Sequence, residues 1–209
     1  IQNGQLMNAS LACEQHHTIQ IVDGILTVDN LLSPNNWGQI NANINEYSES
    51  YIDEYINTTH IDYLQKLHEG LHWSSRHIDF STLTREVALE LGSGHGYFMR
   101  HMIDRFPESF TYIAVDHDPV KLRWLKKIIE RSQPKCNVIF ICADFTQIPL
   151  KASSIDLLID ISGSSNYAFD YPEFLLKKID ILIKDDAKLH GYYIIFKNFV
   201  SQSEIPLAL

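Results

Sequence analysis

Residues 87–103 read VALELGSGHGYFMRHMI. A short apolar run carrying one acid meets a turn in which glycine recurs at 92, 94 and 96. Met99, Met102, Ile103 and Phe106 then fall at i, i+3, i+4 and i+7, the spacing of one helix face. Strand, glycine turn and helix in succession suit a ligand that approaches the backbone closely. The candidates are a dinucleotide, a phosphate group, or a ligand that needs no phosphate site.

The next residues weigh against phosphate. A phosphate-binding loop carries Lys-Ser/Thr after its last glycine, and here Tyr97-Phe98 follow. The dinucleotide pattern G-x-G-x-x-G would put its third glycine at 97, whereas it stands at 96. Glu90 lies two residues before the first glycine. An acid there holds the turn's amides or favours a nearby ammonium group.

Outward from this turn, short apolar runs alternate with helical patterns. EVALEL (86–91), FTYIAVD (110–116), NVIFICAD (137–144), SIDLLIDIS (154–162) and KLHGYYIIFKNF (188–199) read as strands. PVKLRWLKKIIERS, opened by Pro119, and YPEFLLKKIDILI read as helices. This alternation predicts an α/β fold with a doubly wound, mainly parallel sheet. Ligands of such sheets sit outside the carboxyl ends of the strands. Three strands end there in acids. Asp116 is placed to accept from a ribose diol. Asp144 is placed to accept from an adenine amino group, with the Phe145 amide donating to a ring nitrogen. Asp160-Ile161-Ser162-Gly163 line the same crevice.

ELGSGHGYF, YIAVDHDP, CADFTQIPLKASSIDLLID and AKLHGYYIIF, in this order and spacing, resemble the motifs of class I S-adenosylmethionine-dependent methyltransferases. The nearest group is the small-molecule one that includes quinone-biosynthesis enzymes. The resemblance covers residues 86–199 and implies a Rossmann-like fold with S-adenosylmethionine as cofactor. It implies that Glu90, Gly92, Ser93, Gly94 and Gly96 hold the methionine part and that Asp116 holds the ribose. His117 would flank the adenine, Asp144 and Phe145 would take its edge, and Asp160 and Ile161 would lie beside the methionine moiety. Sheets of this family ordinarily add two strands after the fifth, and only ten residues follow Phe199. The chain also opens at Ile1, and the natural protein is expected to extend past one or both ends.

The N-terminal part divides in two. Residues 1–32 hold a hairpin signal, Asp23-Gly24 between short apolar runs. Cys13, His16 and His17 precede it and resemble the second knuckle of a zinc-ribbon module. Residues 1–12 hold no Cys or His to complete four ligands, so no metal is expected in the chain as given. Residues 33–85 read as a linker, rich in Asn, followed by a helical lid. The α/β domain would then run over 86–209.

The charge, 17 bases against 26 acids, is −9. This argues against nucleic acid and anionic membrane as partners. The five basic residues of 121–131 read as the solvated face of a helix whose apolar face is Leu122, Leu125, Ile128 and Ile129. No apolar run is long enough to span a membrane. Three cysteines and no signal-peptide pattern point to the cytoplasm.

Methyl transfer from a sulfonium is an in-line displacement that depends on alignment. The acceptor's lining is expected from Tyr47, Tyr51, His95, Ser162, Asn166, Tyr167 and His190, with His95 and Tyr167 the candidate catalytic groups. DISGSSNYAF lacks the Asn/Asp-Pro-Pro-Tyr/Phe turn of base-amino methylases, which favours a small-molecule acceptor. The alternatives are a non-catalytic cofactor-binding scaffold, an RNA methyltransferase and, more distantly, a nucleotide-dependent oxidoreductase.

Overall fold

A computed structural model of the protein describes residues 8–12, 18–28, 68–73, 75–79, 82–83, 85–164 and 172–192. Eight strands occur among them: β1 (Ala9–Ala12), β2 (Thr18–Val22), β3 (Ile25–Val28), β4 (Val87–Leu91), β5 (Thr111–Asp116), β6 (Asn137–Cys142), β7 (Ile155–Ile161) and β8 (Ile183–Tyr192). They form one sheet in the order β1-β2-β3-β6-β5-β4-β7-β8. Besides the helical residues 68–73, the helices among the described residues are α1 (Tyr97–Met102), α2 (Pro119–Ser132) and α3 (Pro172–Leu182).

Strands β6, β5, β4, β7 and β8 are parallel. The chain winds outward from β4 in one direction through β5 and β6, and in the other through β7 and β8. That reversal beside β4 is the switch point of a doubly wound sheet, and it places a crevice over the carboxyl end of β4.

Each central strand is buried on both faces, and its alternation sorts the core into two layers. Ala88, Tyr112, Ala114, Leu157 and Ile159 face Phe98, Met99 and Met102 of α1 and Leu122, Trp124, Leu125 and Ile129 of α2. Leu89, Leu91, Ile113, Val115 and Leu158 face Leu175, Ile179 and Leu182 of α3. Each such buried side chain contributes on the order of 1.5–3 kcal/mol. Leu71 and Leu83 join the first layer, so the end of the 33–85 segment is built into the main core.

Helix α1 is short because a 3-10 turn, Ile103–Arg105, takes over after Met102. The expected stripe of Met99, Met102, Ile103 and Phe106 is buried all the same. Helix α2 begins with Asp118, whose carboxylate accepts from the amides of Val120 and Lys121, and with Pro119 at its first position. It ends at Gln133 in the left-handed region, just before Pro134. Its basic residues are not all solvated. Lys126 is buried and pairs with Glu130 one turn on.

Two features depart from the sequence expectation. The Asp23-Gly24 hairpin forms, with φ 52° and 74° at the two turn residues as a type I′ turn requires. Its second strand, however, pairs in parallel with β6 through Leu26–Ile141 and Thr27–Cys142, which makes the hairpin an edge of the main sheet. Strand β8 starts at Ile183, five residues earlier than the apolar run at 188 suggested, and takes in Lys184-Asp185-Asp186. It is the last strand in the order among the described residues, and edge strands accept charge because one side of their ladder is open.

Candidate functional site

The carboxyl ends of β4, β5, β6 and β7 bring the predicted residues together. Their geometry shows that the three glycines of the turn serve different needs. All three have positive φ: 61° at Gly92, 51° at Gly94 and 66° at Gly96. A Cβ on Gly92 would lie 2.6 Å from the Cα of Gly163, and one on Gly163 would lie 1.8 Å from the carbonyl oxygen of Leu91. The β4 turn and the loop after β7 therefore touch backbone to backbone. A Cβ on Gly96 would lie 2.2 Å from Leu125 Cδ1, so this glycine lets α1 dock on α2. Only at Gly94 is the space open, the nearest atoms being Gly92 O at 3.8 Å and Asp116 Oδ2 at 4.0 Å. Gly94 is the position where a ligand can reach the backbone.

Asp116 ties the turn to β5. Its Oδ2 accepts from the Gly94 amide at 2.8 Å and its Oδ1 from the Asp118 amide at 2.9 Å. His117 Nδ1 lies 3.5 Å from the same Oδ1, with the ring half-exposed. Each carboxylate oxygen has a second lone pair, so Asp116 keeps acceptor capacity toward a ligand. Asp144 accepts at Oδ1 from the Thr146 amide at 2.8 Å and the Thr146 hydroxyl at 2.6 Å, which caps the 3-10 turn Phe145–Gln147. Asp160 folds the loop after β7: the amides of Gly163, at 2.9 Å, and Ser164, at 3.0 Å, and the Ser164 hydroxyl all donate to it. Ile161 closes β7 and packs against the α1–α2 layer.

Of the two roles open to Glu90, the structure gives the turn amide to Asp116. Glu90 instead accepts the Tyr112 hydroxyl at 2.8 Å in a buried setting. Burial pushes its pKa up to about 8, and Asp116 and Asp160 add to this against the lowering effect of Tyr112. Tyr112 and Gly163 are the residues whose roles the sequence does not reveal. Tyr112 lies in a strand whose sequence carries no sign of its partner, and from sequence Gly163 reads only as part of the crevice lining.

His95 turns toward α2, with its ring edge-on to Trp124 at 5.1 Å between centroids. Burial, then Lys121, lowers its pKa. Ser162 follows β7 in the left-handed region, at φ 56°. His190 is buried beside Phe98, at 5.3 Å between rings. Tyr47, Tyr51, Asn166, Tyr167, Cys13, His16 and His17 lie outside the described residues. Among the described residues, no group of three or more His, Cys, Asp or Glu is arranged to hold a metal ion, and no helix is long and apolar enough to cross a membrane.

The crevice fits a nucleoside bearing an amino-acid tail. The Ser93 hydroxyl oxygen is buried with no hydrogen-bond partner among the described residues, which suits a polar ligand group at the turn. The space over Gly94 is open beside a carboxylate, and two further acid-tipped strands flank it.

Comparison with known proteins agrees. Residues 88–185 match the family model of a methyltransferase domain. A Pyrococcus horikoshii OT3 protein superposes with a TM-score of 0.54 at 18% identity, covering 75% of this chain and 66% of its own. A Methanococcus maripaludis protein assigned as an S-adenosyl-L-methionine-dependent methyltransferase gives 0.50 at 17% identity, covering 68% and 61%. The chain thus spans somewhat under two thirds of these structures' length, and at such identities the likeness bears on the fold. No curated protein matches in sequence. Over residues 88–185, just under half of its length, the chain is similar to methyltransferase domains.

Proposed function

We propose that this protein is an S-adenosylmethionine-dependent methyltransferase acting on a small-molecule acceptor. The observation that carries this is the open space at Gly94, clamped by its own amide to Asp116. When bound, the cofactor supplies a methyl group on a sulfonium, ready for in-line displacement.

In this reading the remaining lone pairs of Asp116 take the ribose hydroxyls, with His117 at the adenine's flank. Asp144 and the amide of Phe145 take the adenine edge. The turn residues Gly92, Ser93, Gly94 and Gly96, with Glu90, Asp160 and Ile161, surround the methionine part. The chain's work is alignment and exclusion of water. The His95 ring packs edge-on to Trp124 and burial lowers its pKa, so it stays neutral and remains, with Tyr167, a candidate base. The lid is assigned to 33–85 and the cofactor domain to 86–209, with 1–32 as the hairpin edge.

Two features support a small acceptor: the charge of −9 and the loop Asp160-Ile161-Ser162-Gly163 in place of a base-methylase turn. Buried free thiols at Cys136 and Cys142 fit a reducing, cytoplasmic setting.

Calorimetric titration with S-adenosylmethionine, S-adenosylhomocysteine and NAD tests the cofactor. Binding of the two sulfur nucleosides and not NAD is expected, and the reverse would sink the proposal. Asp116→Ala is expected to weaken binding at least tenfold. Transfer of labelled methyl into a fractionated small-molecule extract distinguishes an enzyme from a cofactor-binding scaffold. Label appearing in RNA instead would overturn the acceptor class.

A further inference from the structure

Glu90 sits one residue from the end of the central strand, buried, with the Tyr112 hydroxyl as its hydrogen-bond partner. The titratable groups that act on it come from the neighbouring strands, while α2 meets this layer with the apolar Leu122, Leu125 and Ile129 and with Trp124. Strand β5 brings Tyr112 and Asp116, and β7 brings Asp160. Across the sheet, Glu90 pairs with Ile159, which pairs in turn with His190 of β8, a histidine whose pKa is lowered by burial and then by His77. Helix α1 covers this face with Phe98, Met99 and Met102, while its Arg100 stands over the Trp124 ring at 5.5 Å. Glu90 therefore has one neutral donor, two acids nearby and no cation paired with it among the described residues. A carboxyl so placed keeps its proton at neutral pH. Tyr112 keeps its own as well, since burial and then Glu90 push its pKa up.

Resting on the reading that this crevice takes S-adenosylmethionine, we propose that Glu90 is a charge-recognition group. It is neutral without the ligand and ionises when the ligand's cationic centres enter above it. The O–H bond of Glu90 breaks, its electron pair stays on the carboxylate oxygen, and the proton leaves to solvent. No direct contact is required, because a cation within about 4–6 Å lowers a carboxyl pKa by about 1–3 units. The ionised group then favours the sulfonium over the neutral thioether of the product, which promotes product release.

The test is isothermal titration near pH 6.5, where the ligand's α-amino group, with a pKa of about 7.7–8.0, is already protonated. Paired buffers of different ionisation heat report the protons exchanged. The probes are S-adenosylmethionine, S-adenosylhomocysteine and the uncharged 5′-methylthioadenosine. From a starting pKa of about 8, we expect S-adenosylmethionine to release roughly 0.2 to 0.9 proton for a lowering of 1–3 units, the homocysteine compound less, and 5′-methylthioadenosine none. Affinity for S-adenosylmethionine should rise up to about tenfold from about pH 6 to 7. Glu90→Gln, checked for folding by circular dichroism, should bind with neither proton release nor that pH dependence. The wild-type series decides even if this variant fails to fold. Equal heats in both buffers, or equal release with 5′-methylthioadenosine, would overturn the inference and leave the cofactor reading intact. Failure of every sulfur nucleoside to bind would overturn the cofactor reading, and the inference with it.

Discussion

Gly94 and Gly96 both have positive φ, yet substitution at each should have a different consequence. In Gly96→Ala the new methyl carbon would stand 2.2 Å from Leu125 Cδ1, so the buried Leu125 side chain must repack between α1 and α2. In Gly94→Ala it meets open space. Urea unfolding should show Gly96→Ala losing about 2–4 kcal/mol, against about 1 kcal/mol of backbone strain for Gly94→Ala. Calorimetry should show the converse, with the larger loss of cofactor affinity per unit of stability in Gly94→Ala. Similar effects of the two on both measures would contradict this division of roles. Glu90 belongs to the same scale. Its pKa, raised in the folded protein, stabilises the fold fully only below the unfolded value of 4.5, and that stability is lost as pH rises toward about 8. Glu90→Gln, an isostere of the protonated acid, should therefore unfold at higher denaturant than wild type at about pH 8. The advantage, on the order of 4 kcal/mol near pH 8, should shrink toward pH 5.

At the level of elements, the connection from β5 into α2 serves both fold and site. The Asp118 amide donates to Asp116 while the Asp118 carboxylate caps the helix. Asp118→Ala should cost about 1 kcal/mol, and Asp118→Ser should restore most of it, since a hydroxyl also caps; the urea midpoint checks both. The α2 start also adjoins the crevice, so the alanine variant should bind the cofactor more weakly than its stability loss alone explains. The matching element on the other side is the loop after β7. Gly163→Ala would drive a methyl against the Leu91 carbonyl, which is backbone and cannot yield, so a loss exceeding that of Gly96→Ala is expected.

For the molecule as a whole, the buried titratable groups pull stability in opposite directions with pH. Burial lowers the pKa of His95, His101 and His190. A histidine depressed in the folded state stabilises fully above its unfolded pKa, about 6.5, and that stability is lost as pH falls through it. Glu90 acts the other way as pH rises. Wild-type thermal stability should peak in the weakly acidic to neutral range, and in Glu90→Gln the peak should move to higher pH. His101 has local causes as well: its ring meets His68 edge-on at 4.2 Å with His72 nearby, and charge on either lowers its pKa further. A flat profile of Tm against pH from about 5 to 8 would remove this balance.

The local pattern of the chain determined the strand–helix alternation, the buried stripe of α1, the Asp23-Gly24 turn and the acids at strand ends. Each of these depends on residues a few positions apart, and periodicity records them directly. It also determined that the turn at 92–96 suits neither a pyrophosphate nor a phosphate loop. What it left open are relations between segments far apart in sequence. Tertiary structure alone decided that Gly92 packs on Gly163, that Tyr112 rather than a turn amide meets Glu90, and that the N-terminal hairpin extends the sheet beside β6. These depend on register: Glu90 pairs with Ala114 on one side and Ile159 on the other, which brings Tyr112 within reach of the carboxyl and sets the loop after β7 against the turn. A shift of one residue in either pairing would send the same side chains to the opposite face of the sheet.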